Sequence, residues 1–366
     1  MVEIENLNFG FSSGFSLSLG KLAIEKGQIF AIIGPNGAGK TTLLNIIALF
    51  KKIKSGGLRI SGEDVHKTKN KLSLRRKMSF VFSQPYLLND TVYNNVSLPL
   101  RLRGIRNEAY ANEMLRVFKI THLRNNNANI LSQGEKHRVS LARAFVTQPR
   151  LVLLDEPFLS LDVRFKESLI NDLRKIIKLN KITAIFVTQD HFEALSLADT
   201  VAVMIRGKVL QQAAPGDVFT KPASRKVADF VGVETILEGP IYKKEDNLCF
   251  IKVKDKTLEA VSEYNEGDDV FICIRPEDVI ISLTAGQAEK HTDINSARNH
   301  FKAKIINIEP WRLGYKLVLD CGFDLVASVT AQSIKNLDLK IGQEIAASFK
   351  ATAIHLIRRG FPNDAI

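Results

Sequence analysis

Cysteine is scarce in this chain. Its 366 residues hold three, Cys249, Cys273 and Cys321, all in the last third and far apart. With no C-x-x-C spacing, neither a zinc cluster nor a disulfide framework is indicated, and reduced, structural thiols are expected. Long apolar runs are also missing: none approaches the roughly 20 residues that a membrane-spanning helix needs. The first residues, Met1-Val-Glu-Ile-Glu5, are acidic and lack the apolar stretch of a signal peptide, so a cytoplasmic protein is expected unless a partner holds it at a membrane. There is no low-complexity segment and no sustained heptad pattern, which argues against a coiled-coil insert. Basic residues interleaved with aromatics, the pattern that stacks single-stranded nucleic acid, are missing too. The one tryptophan, Trp311, is isolated, and no nucleic-acid partner is expected.

What is present is ordinary for a globular protein: 45% hydrophobic and 25% charged residues, in a length that suits two domains. The net charge of +12 is compatible with nucleic acid, an anionic membrane face or many solvated lysines, and does not choose among them. Up to about residue 215, strands and helices alternate. Ile182 to Thr188 is a β-branched strand, and Phe165, Leu169, Leu173, Ile176 and Ile177 recur at helical spacing before it. Val201 to Ile205, then Arg206-Gly207, then Lys208 to Gln211 reads as a hairpin with a tight turn. The pattern predicts an α/β fold with a mainly parallel sheet, interrupted at about 85–145 by a lobe richer in helix. Beyond about residue 235 short alternating strands take over, among them Leu248 to Val253, Asp269 to Ile274, Phe301 to Ile306, Tyr315 to Leu319 and Leu325 to Val329, with a loop expected over 284–299. This predicts an all-β, OB-like barrel, and domains of 1–235 and 236–366.

The run Gly34-Pro-Asn-Gly-Ala-Gly-Lys-Thr-Thr42 matches G-x-x-x-x-G-K-[ST], the phosphate-binding loop. Its flanks fit: Gln28 to Ile33 is apolar and β-branched, and Thr42 to Phe50 has an apolar helical face. Gly34, Gly37 and Gly39 let the backbone wrap an anion, and the start of the helix adds partial positive charge. Lys40 can reach the β- and γ-phosphates of a nucleotide, and the Thr41 hydroxyl can ligate Mg²⁺. Asn36 and Thr42 complete the expected nucleotide contacts. Downstream, Leu151-Val-Leu-Leu154 forms a strand that delivers Asp155 and Glu156 to the edge where ligands of open α/β sheets bind. Asp155 is placed to hold Mg²⁺, and Glu156 to take a proton from an attacking water. Two helix-capping acids are the plainer alternative.

Ser83-Gln-Pro85, Leu131-Ser-Gln-Gly-Glu135, Leu153-Leu-Asp-Glu-Pro157 and Ser160-Leu-Asp162 follow the phosphate loop in that order and at typical spacing. Over about residues 1–235 the chain therefore resembles the nucleotide-binding subunit of an ABC transporter. The resemblance implies a RecA-like core, a helical lobe, and ATP sandwiched between two copies of the subunit. It implies that Gln84 touches Mg²⁺ and senses a transmembrane permease, and that Ser132 and Gly134 cap ATP held by the opposite copy. It further implies that Asp162 lies between the two sites, and that an aromatic near the start stacks on adenine, here Phe11 with Phe9 as alternative. Ser132 with Glu135 three positions on also reads as a helix capping box, and the two roles are compatible. Three positions depart from the family pattern. Gln133 replaces glycine, Glu135 replaces glutamine, and Gln189, in Val187-Thr-Gln-Asp-His191, stands where relatives carry a switch histidine. Glutamine can donate to a γ-phosphate but carries no charge, so slower turnover with nucleotide binding kept is expected. His191, two residues on, is the alternative sensor.

In the second domain, Glu238-Gly-Pro-Ile241, Ile274-Arg-Pro-Glu-Asp278 and Ser348-Phe-Lys-Ala-Thr-Ala-Ile-His355 resemble the TOBE, molybdate-binding-like barrels attached to importer ATPases. The last of these, with Val231-Gly-Val-Glu-Thr235, is most similar to molybdate/tungstate-type subunits. That implies an oxyanion pocket using backbone N–H groups, Ser348 and Lys350, beside the simpler reading of strands that pack a barrel. The function implied is an importer ATPase, peripheral on the cytoplasmic face of the membrane, energising uptake of an oxyanion such as tungstate or molybdate delivered by a separate binding protein. Residues in the Tyr86 to Tyr93 stretch are expected to grip the permease. Iron, sulfate or polyamine import is the nearest alternative. A soluble ABC ATPase working on translation or DNA would typically carry two cassettes or a coiled-coil insert, and a P-loop small-molecule kinase would not need residues 131–135 or 160–162.

Overall fold

The computed structural model describes residues 1–11, 14–68, 70–159, 161, 163–283, 296–311 and 314–360. The chain divides into two compact units, Met1–Val218 and Phe219–Ile366.

In the first unit, β1 (Val2–Gly10) and β2 (Ser16–Ile24) pair antiparallel and lead to β3 (Ile29–Ile33), α1 (Lys40–Ile47), β4 (Ser55–Ile60), β5 (Glu63–Asp64), α2 (Lys71–Arg76) and β6 (Met78–Val81). A helical lobe follows, in which α3 (Val92–Arg101), α4 (Glu108–Val117) and α5 (Gln133–Phe145) pack on one another. The α/β alternation resumes with β7 (Leu151–Asp155), α6 (Val163–Leu179), β8 (Thr183–Thr188), α7 (His191–Leu197), β9 (Thr200–Ile205) and β10 (Lys208–Ala213).

These strands make two sheets. One is antiparallel in the order β2-β1-β4-β5; the other runs β10-β9-β3-β8-β7-β6 and is parallel except at β10. Strands β3, β7 and β8 are buried at every position, which is why their sequences run almost unbroken in apolar residues instead of alternating. The β9–β10 hairpin turns through Arg206 at φ +47° and Gly207 at φ +77°, the two positive values of a type I′ turn. Leu43, Leu44, Ile46 and Ile47 of α1 join Val2, Ile4 and Leu22 of one sheet and Phe30, Leu153 and Ile185 of the other in a single hydrophobic cluster. Each such side chain contributes roughly 1.5–3 kcal/mol on burial, so the loop at the head of α1 is anchored from both sheets. The helix begins at Lys40, two residues before the apolar pattern suggested. It ends at Ile47, short of Phe50, because Leu49 takes φ +61°.

The order of the parallel strands places the functional segments. β3, β8, β7 and β6 are neighbours running the same way, so their C-terminal ends open on one edge. The chain leaves that edge as Gly34 after β3, Gln189 after β8, Glu156 after β7 and Gln84 just beyond β6.

After α8 (Pro215–Thr220) and α9 (Arg225–Phe230), the second unit is an OB-like all-β structure. Its strands are β11 (Thr235–Glu245), β12 (Leu248–Val253), β13 (Lys256–Val261), β14 (Asp269–Ile274), β15 (Ile280–Leu283), β16 (Asn299–Trp311), β17 (Gly314–Asp320), β18 (Asp324–Thr330), β19 (Glu344–Phe349) and β20 (His355–Arg358), with α10 (Ala331–Asn336) before β19. They form two antiparallel sheets, β13-β12-β11-β14-β20 and β15-β19-β16-β17-β18. Ile251, Ile272 and Leu258 of the first share one hydrophobic cluster with Ile305, Leu317 and Phe349 of the second. Most of the loop expected over 284–299 lies outside the described residues, at 284–295, and Asn299 already belongs to β16.

Candidate active site

Beyond Ile33 the chain turns into α1 through a loop in which two glycines are imposed by space. Gly34 has φ +154°, and a Cβ there would lie 1.9 Å from the Met204 carbonyl oxygen. Gly39 has φ +99°, and a Cβ would meet the Phe15 ring at 2.6 Å. Asn36 and Gly37 are exposed at the tip, and Thr42 is half-buried in the first turn. The Lys40 side chain is buried, and its ammonium donates to the carbonyl oxygens of Gly34 (2.8 Å) and Pro35 (3.0 Å). Those bonds use two of its three donors and leave the third for an anion at the helix start. Burial draws the Lys40 amine below its ordinary pKa, against the pull of the Glu156 and Asp155 charges.

Thr41 Oγ1 donates to Asp155 Oδ1 at 2.9 Å. Asp155 is buried at the end of β7, and that burial pushes its carboxyl above the usual range, a penalty that a nearby cation relieves. A hydroxyl and a carboxylate in contact beside a phosphate loop are hard oxygen donors of the kind Mg²⁺ takes, with phosphates and waters supplying the remaining positions. No cage of three or more His, Cys, Asp or Glu exists among the described residues. The residues at the loop therefore fit Mg²⁺ bound together with a nucleotide, and not a metal held by protein alone.

Glu156 follows at φ +48°, a strained value for a non-glycine residue, with its amide donating to Val187 O at 3.0 Å. Its Oε1 accepts a hydrogen bond from Gln189 Nε2 at 2.9 Å. Gln189 is held from both sides. The Asp190 amide donates to Thr188 Oγ1 (3.0 Å), the Thr188 hydroxyl donates to buried Glu193, and Asp190 caps α7 by accepting from the Phe192 amide (2.8 Å). Lys166 of α6 pairs with both Asp190 and Glu193. His191 is the first residue of α7. No motif singled out Lys166 or Glu193.

Gln84 is exposed beyond β6. The residues beside it and beside Glu156 lie near a histidine that carries no sequence signature: His137 of α5, 2% exposed, sits by the backbone of Ser83 and of Pro157 with its Nδ1 buried and without a hydrogen-bond partner. Burial lowers its pKa. At the start of the same helix the capping box is complete. The Ser132 amide and hydroxyl both donate to Glu135 Oε2 (2.8 and 2.7 Å), and the Glu135 amide donates to Ser132 Oγ (3.4 Å). The Ser132 N–H expected to meet a phosphate is thus already occupied by Glu135, whose carboxyl those Ser132 bonds hold below the usual range. Gly134 is the second residue of α5, and among the described residues no hydrogen bond joins it or Ser132 to the phosphate loop of the same chain. Ser160 and Asp162 lie outside the described residues.

Phe11 and Phe9 are in edge-to-face contact at 4.9 Å. Phe9 packs on the core, whereas Phe11 is 38% exposed, with the Lys51 ammonium 4.7 Å from its ring centroid. Phe15 lies against the phosphate loop itself and carries no sequence signature beyond being aromatic. In the second unit, Ser348 is buried in β19, and Lys350 is exposed just beyond it, ahead of a turn over Ala351–Ala353.

The ABC transporter family model matches residues 18–159, and the TOBE domain model matches residues 295–356. The molybdate/tungstate import ATP-binding protein WtpC of Pyrococcus horikoshii is 37% identical over 97% of this chain and 99% of its own. The chain belongs to the ATP-binding subunits of ABC transporters. The spermidine/putrescine import ATP-binding protein PotA of Fusobacterium nucleatum is 32% identical over 95% of this chain and 90% of its own. Among solved structures, the dimeric post-hydrolysis state of the ATP-binding cassette MJ0796 bound to ADP and Pi covers 59% of this chain and 99% of its own, at 29% identity and a TM-score of 0.54. The cbiO1 structure from Clostridium perfringens covers 64% of this chain and 94% of its own, at 29% identity and a TM-score of 0.55. This ABC subunit binds ATP and is an importer ATPase, its hydrolysis coupled to transmembrane transport. No helix among the described residues is long and apolar enough to cross a membrane.

Proposed function

We propose that this ABC subunit energises the uptake of an oxyanion of the molybdate or tungstate class. The observation that carries the reading is the extent of the likeness to WtpC, which runs over 97% of the chain and so takes in the β unit as well as the ATPase unit. In this reading Lys40 and the backbone of Gly34, Asn36, Gly37 and Gly39 hold the β- and γ-phosphates, Thr42 supports them, and Phe11 stacks on adenine. Thr41, Asp155 and Gln84 hold Mg²⁺, which when bound supplies charge neutralisation at the phosphates. Glu156 takes the proton of the attacking water, and Gln189 aims its carboxylate. Two copies close on two nucleotides, with Ser132 and Gly134 of each capping the ATP of the other and Asp162 between the sites. The dimeric state of MJ0796 with ADP and Pi supports that arrangement. Permease subunits dock on the exposed rings of Phe82 and Tyr86, next to Gln84, which makes the subunit peripheral on the cytoplasmic face of the membrane. In the β unit, Lys350 and the Ala351–Ala353 backbone, with Ser348 behind them, take the transported oxyanion.

Polyamine import is a second reading, favoured by the PotA match over 95% of the chain. Thermal unfolding of the full chain with tungstate, molybdate, sulfate, phosphate and spermidine separates the two. A ligand at 100 times its Kd stabilises by about 2.7 kcal/mol, a readable shift. A shift with tungstate or molybdate supports the oxyanion reading. A shift with spermidine alone transfers the cargo to polyamines, and no shift with any of them removes the ligand site from the β unit.

A further inference from the structure

The positive charge of this chain is concentrated. Between Lys51 and Lys77 there are ten lysines and arginines against two acids, a net +8 out of the +12 of the whole protein. Part of this charge is spent internally: the Arg75 guanidinium donates to the Leu49 carbonyl oxygen at 2.5 Å, and the Lys51 ammonium lies over the Phe11 ring. Lys77 pairs with Glu63 at 2.7 Å and Arg59 approaches Glu3 at 4.0 Å, but among the described residues Lys52, Lys54, Lys67, Lys71 and Arg76 have no carboxylate within ion-pair distance. Four cations of this segment, Lys51, Lys52, Lys71 and Arg75, line a cavity of about 340 Å³ together with apolar Leu58 and Val65. Directly beside it stands Phe50, 51% exposed, which stacks on Phe82 at 6.0 Å and touches Phe80 at 5.3 Å. Leu72 is exposed on the same segment. Cations around an apolar cleft, flanked by open aromatic rings, make an amphipathic face.

We propose that this face rests on the membrane, with the lysines and arginines on the phosphates of anionic phospholipid headgroups and Phe50 in the interfacial layer. Charge complementarity selects an anionic surface. The apolar cleft and exposed rings select lipid over nucleic acid, because aromatic side chains amid cations suit the boundary of headgroup and acyl chain. The inference rests on the importer reading for its orientation: Phe82 belongs both to this face and to the proposed permease contact, so a subunit docked through Phe82 brings the cationic cleft to the headgroups around the permease.

The test is sedimentation of the full-length protein, without permease, with vesicles of phosphatidylcholine alone or mixed with phosphatidylglycerol. The expected result is pelleting with the anionic vesicles only, lost as salt is raised. Each cation near such a surface is worth about a fivefold change in partitioning, so Lys52→Glu/Lys54→Glu/Lys71→Glu should weaken binding by about a hundredfold or more. Those side chains are exposed and away from the phosphate loop, so ATPase activity in solution stays at the wild-type rate and reports that the variant is folded. Phe50→Ser should weaken vesicle binding without changing its salt dependence. Equal pelleting with neutral vesicles, or undiminished pelleting of the charge-reversed variant, overturns the proposal. So does tighter binding to a duplex DNA fragment than to anionic vesicles at the same salt. Failure here leaves ATPase activity and any tungstate shift intact, and so does not touch the importer reading.

Discussion

Replacing Gln189 with alanine deletes the amide that holds the carboxylate of Glu156. The two side chains meet at 2.9 Å, and Gln189 is itself steadied by Thr188, Asp190, Glu193 and Lys166. A hydrogen bond to a charged group is worth about 1.5–3 kcal/mol, and exposure of this pair reduces the figure to about 1–2 kcal/mol. If that energy serves to aim the base, kcat falls by about 5- to 30-fold, since 1.36 kcal/mol is a factor of ten in rate. The KM for ATP should hold, because the loop amides and Lys40 lie between β3 and the start of α1, whereas Gln189 follows β8. Glu156→Gln removes the proposed base and should cost about 10²- to 10⁴-fold. Gln189→His restores the residue expected from the family pattern. An imidazole is partly cationic below about pH 6.5, so this variant should exceed the wild type most at the acidic end of a profile run between about pH 6 and 8. The assay is phosphate release at saturating ATP. A kcat for Gln189→Ala within about twofold of wild type would refute the positioning argument, and a Gln189→His profile that superimposes on the wild type would refute the idea that the missing charge slows turnover.

Three further outcomes follow from the same geometry. Gly34→Ala drives a methyl into the Met204 carbonyl and should cost roughly 3 kcal/mol or more, whereas Gly37→Ala, at φ +76° in open space, should cost only about 1 kcal/mol; equal unfolding midpoints for the two would contradict this. Glu135→Gln keeps a capping-box residue but removes an anion from the helix start that, in the proposed sandwich, faces the partner's nucleotide. It should tighten ATP-dependent dimerisation about fivefold in sedimentation velocity on a Glu156→Gln background, and unchanged or weaker association counts against the sandwich geometry. Burial lowers the pKa of His137 and His355 below the ordinary 6.5, so the unfolded chain binds their protons first. The stability they allow is complete above about pH 6.5 and is lost as pH falls through that value. Denaturation midpoints of His137→Gln and His355→Gln should therefore fall less than wild type on acidification, and parallel curves would exclude both residues as the cause.

Much of the nucleotide site is legible in sequence because its chemistry is local. A phosphate is recognised by consecutive backbone amides, so the glycines, Lys40 and Thr41 must sit within one turn of each other, and the spacing alone announces them. Strands β3, β7 and β8 are equally plain, since burial on both faces leaves them no polar alternation to hide in. The Ser132–Glu135 capping box and the Arg206-Gly207 turn are also short-range and readable. What escapes is the support around the site. Lys166, Asp190 and Glu193 come from α6 and the start of α7, and their meeting depends on how those helices pack. His137 reaches Ser83 and Pro157 from a third segment, and a lone buried histidine has no pattern. The β unit shows the same division: β12 and β14 could be read from their residues, but β11 pairing with both, and β20 closing on β14, joins positions far apart in the chain. The groups proposed to touch the nucleotide are therefore set by local spacing, while those that hold Gln189 against Glu156 are set by packing. It follows that a departure such as Gln189, placed by sequence but held by packed neighbours, cannot be judged from its own identity. Its effect depends on Lys166 and Glu193 keeping their places.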